Sequence, residues 1–289
     1  MPSLATAPSS SHHYAIPPQR EAPGERSWMT RGANFVVVVS QVIPGAVLER
    51  QAQTDESMIL LTDLSARIET TTDTLEAGPE SLIVVPPGRC KLTADSAGTV
   101  VRVFSSLATD LLANADNAAV YAAGAPEVAP LIPWPAPADG FRLRHYRLSE
   151  YTRPGVHMRI FRCTNLMVNV MMPRPVARDI TKLSPHQHSD FEQGSLALRG
   201  TWMHHLRHPW TPDLNEWKPD EHIKMESPSL LVIPPKVIHT SHNLNDGGAW
   251  LIDIFAPPRV DFSATPGKVA NETDYPLPPG VVAGAGAPE

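Results

Sequence analysis

The stretch from His186 to Gly200 reads HQHSDFEQGSLALRG, with two histidines one residue apart ahead of an apolar segment. Residues i and i+2 of a β-strand share a face, so both imidazoles can point into one interior. A third histidine, His239, comes after the apolar run Ser229–Ile233 and a Pro-Pro turn. Because three imidazoles are typical ligands of a divalent transition metal, this group predicts a mononuclear metal site.

The fourth ligand of the predicted site is one of two neighbouring residues, Glu192 or Gln193. Glu192 has the carboxylate that is chemically expected in such a site. Side chains alternate along a strand, so only one of the two can face the metal. If Gln193 faces inward, so do the small residues Ser195 and Ala197, which would leave room for a ligand. The pattern therefore favours Gln193, with Glu192 as the alternative.

The chain also repeats itself, which indicates a duplicated domain. Ser81–Val85 and Ser229–Ile233 both read Ser-Leu-apolar-Val-apolar and are both followed by Pro-Pro. Arg31 and Arg162 each open an Arg-x-x-Asn sequence that leads into an apolar strand. The two matches occur in the same order along the chain.

Composition favours strands over helices. The 289 residues include 31 prolines, and proline is excluded from helix interiors. Short β-rich runs separated by turn residues predict sandwiches or barrels. The convincing helical stretch covers residues 108–124, and residues 126–140 form a proline-rich linker or strap between the two copies.

The segment that begins at His186 resembles the first motif of the cupin superfamily, His-x-His-x4-Glu-x6-Gly. His186, His188 and Gly200 fit this motif, and Gln193 occupies the glutamate position. The second cupin motif, Pro-x-Gly-x2-His-x3-Asn, is matched later in the chain. Its matching residues are Pro234, His239 and Asn243, while Lys236 replaces the glycine.

The resemblance covers nearly the whole chain and implies a bicupin. The expected fold is all-β, with two double-stranded β-helix (jelly-roll) cupin barrels in tandem. The expected segments are an N-terminal arm (1–29), a degenerate barrel (30–106), a helical and proline-rich linker (107–157), a metal-binding barrel (158–262) and a C-terminal tail (263–289). The arm, which includes His12 and His13, is expected to be solvated.

The first copy is expected to have lost the metal site. Alignment of the two copies, with Asp63 placed on Gly200, puts no imidazole at the ligand positions, which carry Glu49, Gln51, Glu56 and Lys91. Met58 and Leu60 replace Ser195 and Ala197, so the interior is expected to be filled. A scaffold barrel is the favoured interpretation, with Lys91 neutralising the carboxylates, and a pocket for an organic ligand is the alternative.

The second copy is longer between its motifs, and the extra residues fall within 202–222. This stretch holds six His and Trp side chains besides His222: Trp202, His204, His205, His208, Trp210 and Trp217. A lid or an interface, and a surface loop pinned by tryptophans, are equally good interpretations.

The resemblance implies a metal-dependent cupin enzyme. The favoured function is a mononuclear non-haem dioxygenase of a small aromatic or carboxylate substrate, with Fe(II) preferred over Mn, Ni, Zn or Cu. A non-redox isomerase, lyase or hydrolase is the first alternative. A non-catalytic bicupin that binds a small ligand is the second.

Charge and cysteine content exclude several classes of partner. The net charge of −6, without clustered Lys and Arg, argues against nucleic-acid binding. No apolar run reaches the ~18 residues of a membrane helix. Two isolated cysteines, Cys90 and Cys163, and an N-terminus unlike a signal peptide favour the cytoplasm.

A homodimer is expected, because exposed strand edges are often covered by association.

Overall fold

The computed structural model of the protein describes residues 7–284, and most of its regular structure is β-strand. The strands are β1 (Ser9–Ser11), β2 (Arg20–Ala22), β3 (Glu25–Arg31), β4 (Phe35–Val42), β5 (Val47–Gln53), β6 (Ser57–Leu61), β7 (Ala66–Thr70), β8 (Thr74–Ala77), β9 (Ser81–Val85), β10 (Gly88–Ala94), β11 (Gly98–Ser105), β12 (Arg144–Arg147), β13 (Ile160–Arg162), β14 (Met167–Val170), β15 (Gln193–Arg199), β16 (Trp202–Arg207), β17 (Glu221–Met225), β18 (Ser229–Ile233), β19 (Ile238–Asn243) and β20 (Trp250–Phe255). The helices are α1 (Thr109–Ala113), α2 (Val260–Ser263) and the 3-10 turns Ala118–Tyr121, Leu148–Tyr151, Ile180–Lys182 and Leu214–Glu216. Within residues 7–284, no helix is long and apolar enough to cross a bilayer.

These strands form two jelly-roll barrels, each made of a large and a small sheet. The first barrel joins a seven-stranded sheet, β12-β9-β6-β11-β4-β3-β2, to a four-stranded sheet, β5-β10-β7-β8. The second joins a six-stranded sheet, β1-β18-β15-β20-β14-β13, to a three-stranded sheet, β17-β16-β19. The strand pairs within these sheets are antiparallel, and the predicted all-β fold of two barrels in tandem is confirmed.

The two large sheets pack face to face, so several of their strands are buried on both sides. One continuous apolar cluster contains Met58 and Leu60 from the first barrel together with Val168, Leu196 and Ile252 from the second. Strands covered on both faces read as unbroken apolar runs, which explains residues 35–39 within β4 and residues 230–233 within β18. The barrels are therefore joined mainly by this sheet-to-sheet contact.

The interior of the first barrel is filled, but not by the residues that the sequence predicted. Met58 and Leu60 point toward the second barrel, and their neighbours Ile59 and Leu61 point inward. The inward pair packs against residues of the small sheet such as Leu92. The prediction placed the strand one residue out of register, because β6 is apolar on both faces.

The charged residues at the former ligand positions of the first barrel lie outside its core. Glu49 accepts a hydrogen bond from Arg89 at 2.5 Å, and Lys91 lies 3.6 Å from Glu69. Lys91 therefore pairs with Glu69, and its predicted role in neutralising Glu49 and Glu56 is wrong. The arrangement agrees with a scaffold barrel.

The N-terminal segment is built into both barrels. Strand β1 pairs with β18 of the second barrel, whereas β2 and β3 extend the large sheet of the first. His13 is buried and hydrogen-bonded to the Thr30 hydroxyl at 2.9 Å, so the expectation that it is solvated is wrong. Burial lowers the pKa of His13 to about 4.

The segment between the barrels is less helical than its sequence indicates. Helix α1 covers only Thr109–Ala113, and a 3-10 turn follows at Ala118–Tyr121. Residues 126–140 form a strap: Ala129 donates its backbone N–H to Asp190 O at 2.7 Å, and Asn34 donates to Ala129 O at 2.8 Å. The strap thus bonds to both barrels.

Candidate metal centre

Three histidines meet at one end of the second barrel. His186 and His239 face each other in an isolated antiparallel bridge, which brings their ring centroids to 4.4 Å. His188 is two residues further on, with its centroid 5.1 Å from that of His186 and 5.2 Å from that of His239. One ring nitrogen from each lies within 4.8 Å of the others. His188 and His239 are buried, whereas His186 is exposed, so the cluster opens to solvent on the His186 side.

Backbone carbonyls orient two of the three rings. The Nδ1 atom of His186 lies 3.0 Å from Ser184 O, and the Nδ1 atom of His239 lies 2.9 Å from Val237 O. A carbonyl oxygen only accepts hydrogen bonds, so Nδ1 carries the proton in both rings. The lone pair is then on Nε2, which is the tautomer that binds a metal through Nε2.

Gln193 brings an oxygen into the same space. Its Oε1 lies 2.9 Å from His188 Nε2 and 3.3 Å from His239 Nε2. Its amide nitrogen donates to Ser195 Oγ at 2.9 Å and to Asp253 Oδ1 at 3.0 Å. Because the carboxylate of Asp253 accepts hydrogen bonds, the amide is fixed with Oε1 toward the histidines.

The donors fit a divalent transition metal. The Nε2 lone pair of His239 and the Oε1 lone pairs of Gln193 face each other across 3.3 Å, a contact that a cation between them would make favourable. Three imidazole nitrogens and one amide oxygen suit Fe, Mn, Ni, Cu or Zn. The predicted residues His186, His188, Gln193 and His239 are therefore brought together.

Burial keeps two of these rings in the metal-binding form. It lowers the pKa of His188 to about 3 and that of His239 to about 4. The hydrogen bond to Gln193 acts in the opposite direction on His188, and the positive charge of Arg259 acts with burial. Both imidazoles are therefore neutral at neutral pH, as metal binding requires.

An aromatic layer supports His188 from behind. The ring of Phe191 stacks on His188 at 4.5 Å, and the ring of Phe255 meets it edge-on at 5.7 Å. Arg259 lies over Phe255 at 5.0 Å and donates to the Asp261 carboxylate at 2.6 Å. Sequence reasoning missed Arg259, since nothing in its local sequence connects it to the histidines.

A fourth histidine, His204, faces the interior of the same barrel. It is 1% exposed, and its Nδ1 lies 2.7 Å from Ser241 Oγ. Its Nε2 is buried and has no hydrogen-bond partner among the residues that the structure describes. Burial lowers the pKa of His204 to about 3, so the ring is neutral. The sequence drew attention to His204 but gave it no role, because its direction depends on the pairing of β16.

Glu192, the alternative fourth ligand, faces away from the histidines. One carboxylate oxygen accepts the backbone N–H of Ala33 at 2.5 Å, and the other accepts the Tyr121 hydroxyl at 2.8 Å. Ala33 belongs to the first barrel, so Glu192 ties the two barrels together. Its neighbour Gln193 takes the inward position, as strand alternation requires.

The first barrel contains a counterpart of this tie. Glu56 accepts the backbone N–H of Thr164 at 3.0 Å and the Tyr275 hydroxyl at 2.9 Å. Ala33 and Thr164 occupy the same place in the two Arg-x-x-Asn repeats, so each repeat binds the glutamate of the opposite barrel. Glu56 thus corresponds to Glu192, and the sequence alignment that matched it to Gln193 is wrong by one residue.

The buried carboxylate of Glu192 predicts a pH dependence of stability. Burial raises its pKa to about 7 from an ordinary value of 4.5, against the opposing hydrogen bonds from Ala33 and Tyr121. Between these two values the folded protein binds more protons than the unfolded chain, so stability falls as pH rises. We expect this one group to account for up to ~3 kcal/mol between pH 4.5 and 7.5.

Thermal unfolding of the wild type and the Glu192→Gln variant from pH 4.5 to 7.5 measures this effect. The stability difference between the two proteins should change with pH, since the amide does not titrate. The raised pKa of Glu56 affects both proteins equally and cancels. A difference that is constant across this range would show that Glu192 titrates normally.

The long segment 202–222 forms the hairpin of β16 and β17. Trp202 is in the core, whereas Trp210 is 76% exposed and stacks on Trp217 with centroids 4.2 Å apart. His208 lies 2.6 Å from the Glu221 carboxylate. The loop carries an exposed tryptophan stack, and its role as a lid, an interface or a surface loop stays a prediction.

Comparisons with known proteins show which solved structures share this architecture. No family model matches the chain, and no curated protein matches its sequence. Among solved structures, the protein Ylba from E. coli has a TM-score of 0.58 and 10% identity, with 88% of this chain and 91% of that chain covered. The Lactobacillus farciminis oxalate decarboxylase, solved as a formate complex, has a TM-score of 0.57 and 15% identity, covering 89% of each chain.

A third similar structure is the oxalate decarboxylase of Bacillus subtilis, described with Mn(II) centres. Its TM-score is 0.59 at 13% identity, with 91% of this chain and 83% of that chain covered. At these identities the likeness shows the fold. With the tandem barrels and the cupin motifs, it identifies the chain as a bicupin in fold, with a three-histidine cluster suited to a divalent metal in its second barrel.

Proposed function

We propose that the second barrel binds one divalent transition metal through His186, His188, Gln193 and His239, and that the protein is a metal-dependent enzyme acting on a small carboxylate. One observation carries this proposal: the four donors are three imidazoles and one amide, and none of them is a carboxylate. A carboxylate ligand would cancel part of the ion's charge, whereas this set leaves it at 2+. In a partly buried site such a charge strongly attracts an anionic substrate.

The chain's own residues define how a substrate would be held. The interior beyond the cluster is packed by apolar side chains such as Leu206, Leu231 and Ile233. A substrate therefore approaches from the exposed His186 side and is small. His204 is buried in the same interior, and its Nε2 has no hydrogen-bond partner among the described residues. Asp253 holds the Gln193 amide in its orientation.

The favoured reaction class is non-redox: a lyase, hydrolase or isomerase reaction. A bound metal would supply Lewis-acid polarisation of the substrate carboxylate or carbonyl. The neutral donor set supports this class because it maximises the positive charge offered to the substrate. Two similar structures are oxalate decarboxylases, whose substrate is a small dicarboxylate.

The dioxygenase favoured by the sequence is the second candidate. The observation that supports it is the ligand set itself, since a site with three imidazoles and open positions can bind a substrate and O2 together. Fe(II) would be the metal in that case, and Mn(II) is preferred for the non-redox class. The homodimer, the cytoplasmic location and the segment limits stay predictions.

Substrate binding and oxygen consumption separate these possibilities. Protein loaded with Mn(II) or Fe(II) is mixed with oxalate, formate and small aromatic acids while O2 is recorded with an electrode and products are followed by NMR. We expect carboxylate turnover by the metal-loaded wild type, no O2 uptake in proportion to product, and neither binding nor turnover by the metal-free protein. Stoichiometric O2 uptake would favour the dioxygenase. Metal-dependent binding without turnover of any compound would indicate a binding protein.

A further inference from the structure

Three other histidines lie on the outer face of the small sheet of the second barrel. His205 is on β16, His222 on β17 and His242 on β19, so each of three adjacent strands contributes one imidazole. His205 Nδ1 lies 2.7 Å from His222 Nδ1, and His205 Nε2 lies 3.3 Å from His242 Nδ1. We call these three residues the outer histidine cluster.

This cluster is separate from the metal centre inside the barrel. Side chains alternate along β16, so the buried residues His204 and Leu206 point inward and His205 points outward. The same alternation on β19 sends His239 inward and His242 outward. The wall of the small sheet therefore lies between the two groups of imidazoles.

The contacts of His205 leave a lone pair on one of its ring nitrogens, as binding of a cation requires. Its Nε2 faces His242 Nδ1, and a proton on Nε2 satisfies that contact. The Nδ1 atom of His205 then has a lone pair directed at His222 Nδ1. Two imidazole nitrogens bound to one ion at about 2.0–2.1 Å lie roughly 3 Å apart. The observed Nδ1–Nδ1 distance of 2.7 Å is close to this spacing, and the two rings would turn so that both lone pairs point at the ion.

An open surface pocket of about 290 Å³ adjoins this pair. His205, His222 and Thr240 line it together with apolar side chains and the ion pair of Arg207 and Asp220. Thr240 lies directly opposite His205 in the sheet, and its hydroxyl is buried without a hydrogen-bond partner in the described part of the chain. Buried hydroxyls rarely lack a partner, so this one is available to a water bound to an ion.

We propose that the outer histidine cluster is a second divalent-metal site, in which His205 and His222 are the ligands and His242 is a positioning residue. The ion would be one that favours imidazole, such as Zn²⁺, Ni²⁺ or Cu²⁺. Water molecules complete its coordination, and one of them bonds to Thr240. His242 acts through His205 by fixing the proton on Nε2.

Counting bound ions tests this site. The chelator-treated full-length protein is loaded with Zn²⁺ and desalted, and the metal is measured by mass spectrometry. We expect two equivalents per chain in the wild type, one in each of the His205→Ala and His222→Ala variants, and one in His188→Ala. The double variant His188→Ala/His205→Ala should bind none. His157→Ala, which removes an exposed histidine outside both clusters, should bind two.

The role of His242 has its own readout. The His242→Ala variant should bind two equivalents at saturating Zn²⁺ and release one of them about 10–100-fold more readily in a chelator competition, as loss of a hydrogen-bond partner of a metal ligand does. A wild type whose bound zinc is not reduced in either His205→Ala or His222→Ala would overturn the proposal, whatever the content of the inner centre.

A further measurement uses a protein whose outer histidine cluster is unchanged. Its result does not depend on whether the His205→Ala and His222→Ala variants fold correctly. Cu²⁺ added to the His188→Ala protein should give an electron paramagnetic resonance spectrum with hyperfine splitting from two imidazole nitrogens. A spectrum of hydrated Cu²⁺, or one without nitrogen splitting, would contradict the assignment of His205 and His222 as ligands.

Discussion

Replacing His188 with alanine is expected to remove the metal from the second barrel. The ring is buried, supplies one of three imidazoles and has its Nε2 2.9 Å from the oxygen of Gln193. Loss of a direct ligand costs more than the ~10–100-fold that loss of a ligand's hydrogen-bond partner costs. Metal affinity at this centre should therefore fall by more than ~100-fold, and enzyme activity should be lost.

Isothermal titration with Mn²⁺, together with metal analysis after desalting, measures this loss. The matched control is Glu49→Ala, which alters the corresponding region of the first barrel, where Glu49 pairs with Arg89 at the surface. That variant should keep its metal and its activity. A His188→Ala protein that retains the full metal content of the wild type would rule out the proposed centre.

Glu192, which immediately precedes β15, and Gln193, its first residue, should give opposite results when each is changed to alanine. Gln193→Ala removes the oxygen that lies 2.9 Å and 3.3 Å from two ring nitrogens. Its metal affinity should fall at least ~10-fold, since the change removes a ligand rather than its support. Glu192→Ala should leave metal affinity within about twofold of the wild type, because that side chain points to the first barrel.

Stability should follow the opposite order, with Glu192→Ala less stable than Gln193→Ala. Glu192→Ala leaves the backbone N–H of Ala33 and the Tyr121 hydroxyl without their acceptor. An unsatisfied buried donor costs about 1–3 kcal/mol, so Glu192→Ala should be destabilised by at least that amount. Glu56→Ala is the matched control: it breaks the equivalent tie and should lose similar stability without affecting metal binding.

Urea unfolding and Mn²⁺ titration of the three variants provide the comparison. If Glu192→Ala lost its metal while Gln193→Ala retained it, the orientation of β15 would be reversed and the site would have three histidines and a glutamate. Loss of metal in Glu56→Ala would also contradict the account. The Glu56 carboxylate is hydrogen-bonded to Thr164 and Tyr275, away from the three histidines of the metal centre.

The sequence indicated which histidines lie together because that information is local. His186 and His188 are two residues apart, and the small residues Ser195 and Ala197 mark the face that Gln193 shares. Strand alternation then selects Gln193 over Glu192. The tandem barrels were predictable as well, since the Ser-Leu-apolar-Val-apolar-Pro-Pro run occurs twice.

Prediction failed where strands are buried on both faces. All five residues of Ser57–Leu61 are buried, so no alternation of polar and apolar residues sets the direction of each side chain. The alignment of the two copies slipped by one residue there, which misplaced Met58, Leu60 and Glu56. The contact between the two large sheets, which causes this burial, is not visible in a single strand.

Contacts between residues that are far apart in the sequence could not be predicted either. The outer cluster depends on the register of three strands, and Tyr121 and Tyr275 reach their glutamates across 71 and 219 residues. His13 looked like part of a polar tail because nothing nearby in sequence covers it. Its burial depends on the packing of the N-terminal strands against the barrels.

The most direct test of the central claim is an anomalous difference map from a crystal of the Mn²⁺-loaded protein. We predict a peak about 2.0–2.3 Å from Nε2 of His186, His188 and His239 and from Oε1 of Gln193, with the Glu192 carboxylate still bonded to Ala33. A map without a peak among these histidines, or with the Glu192 carboxylate bound to the ion, would contradict the account.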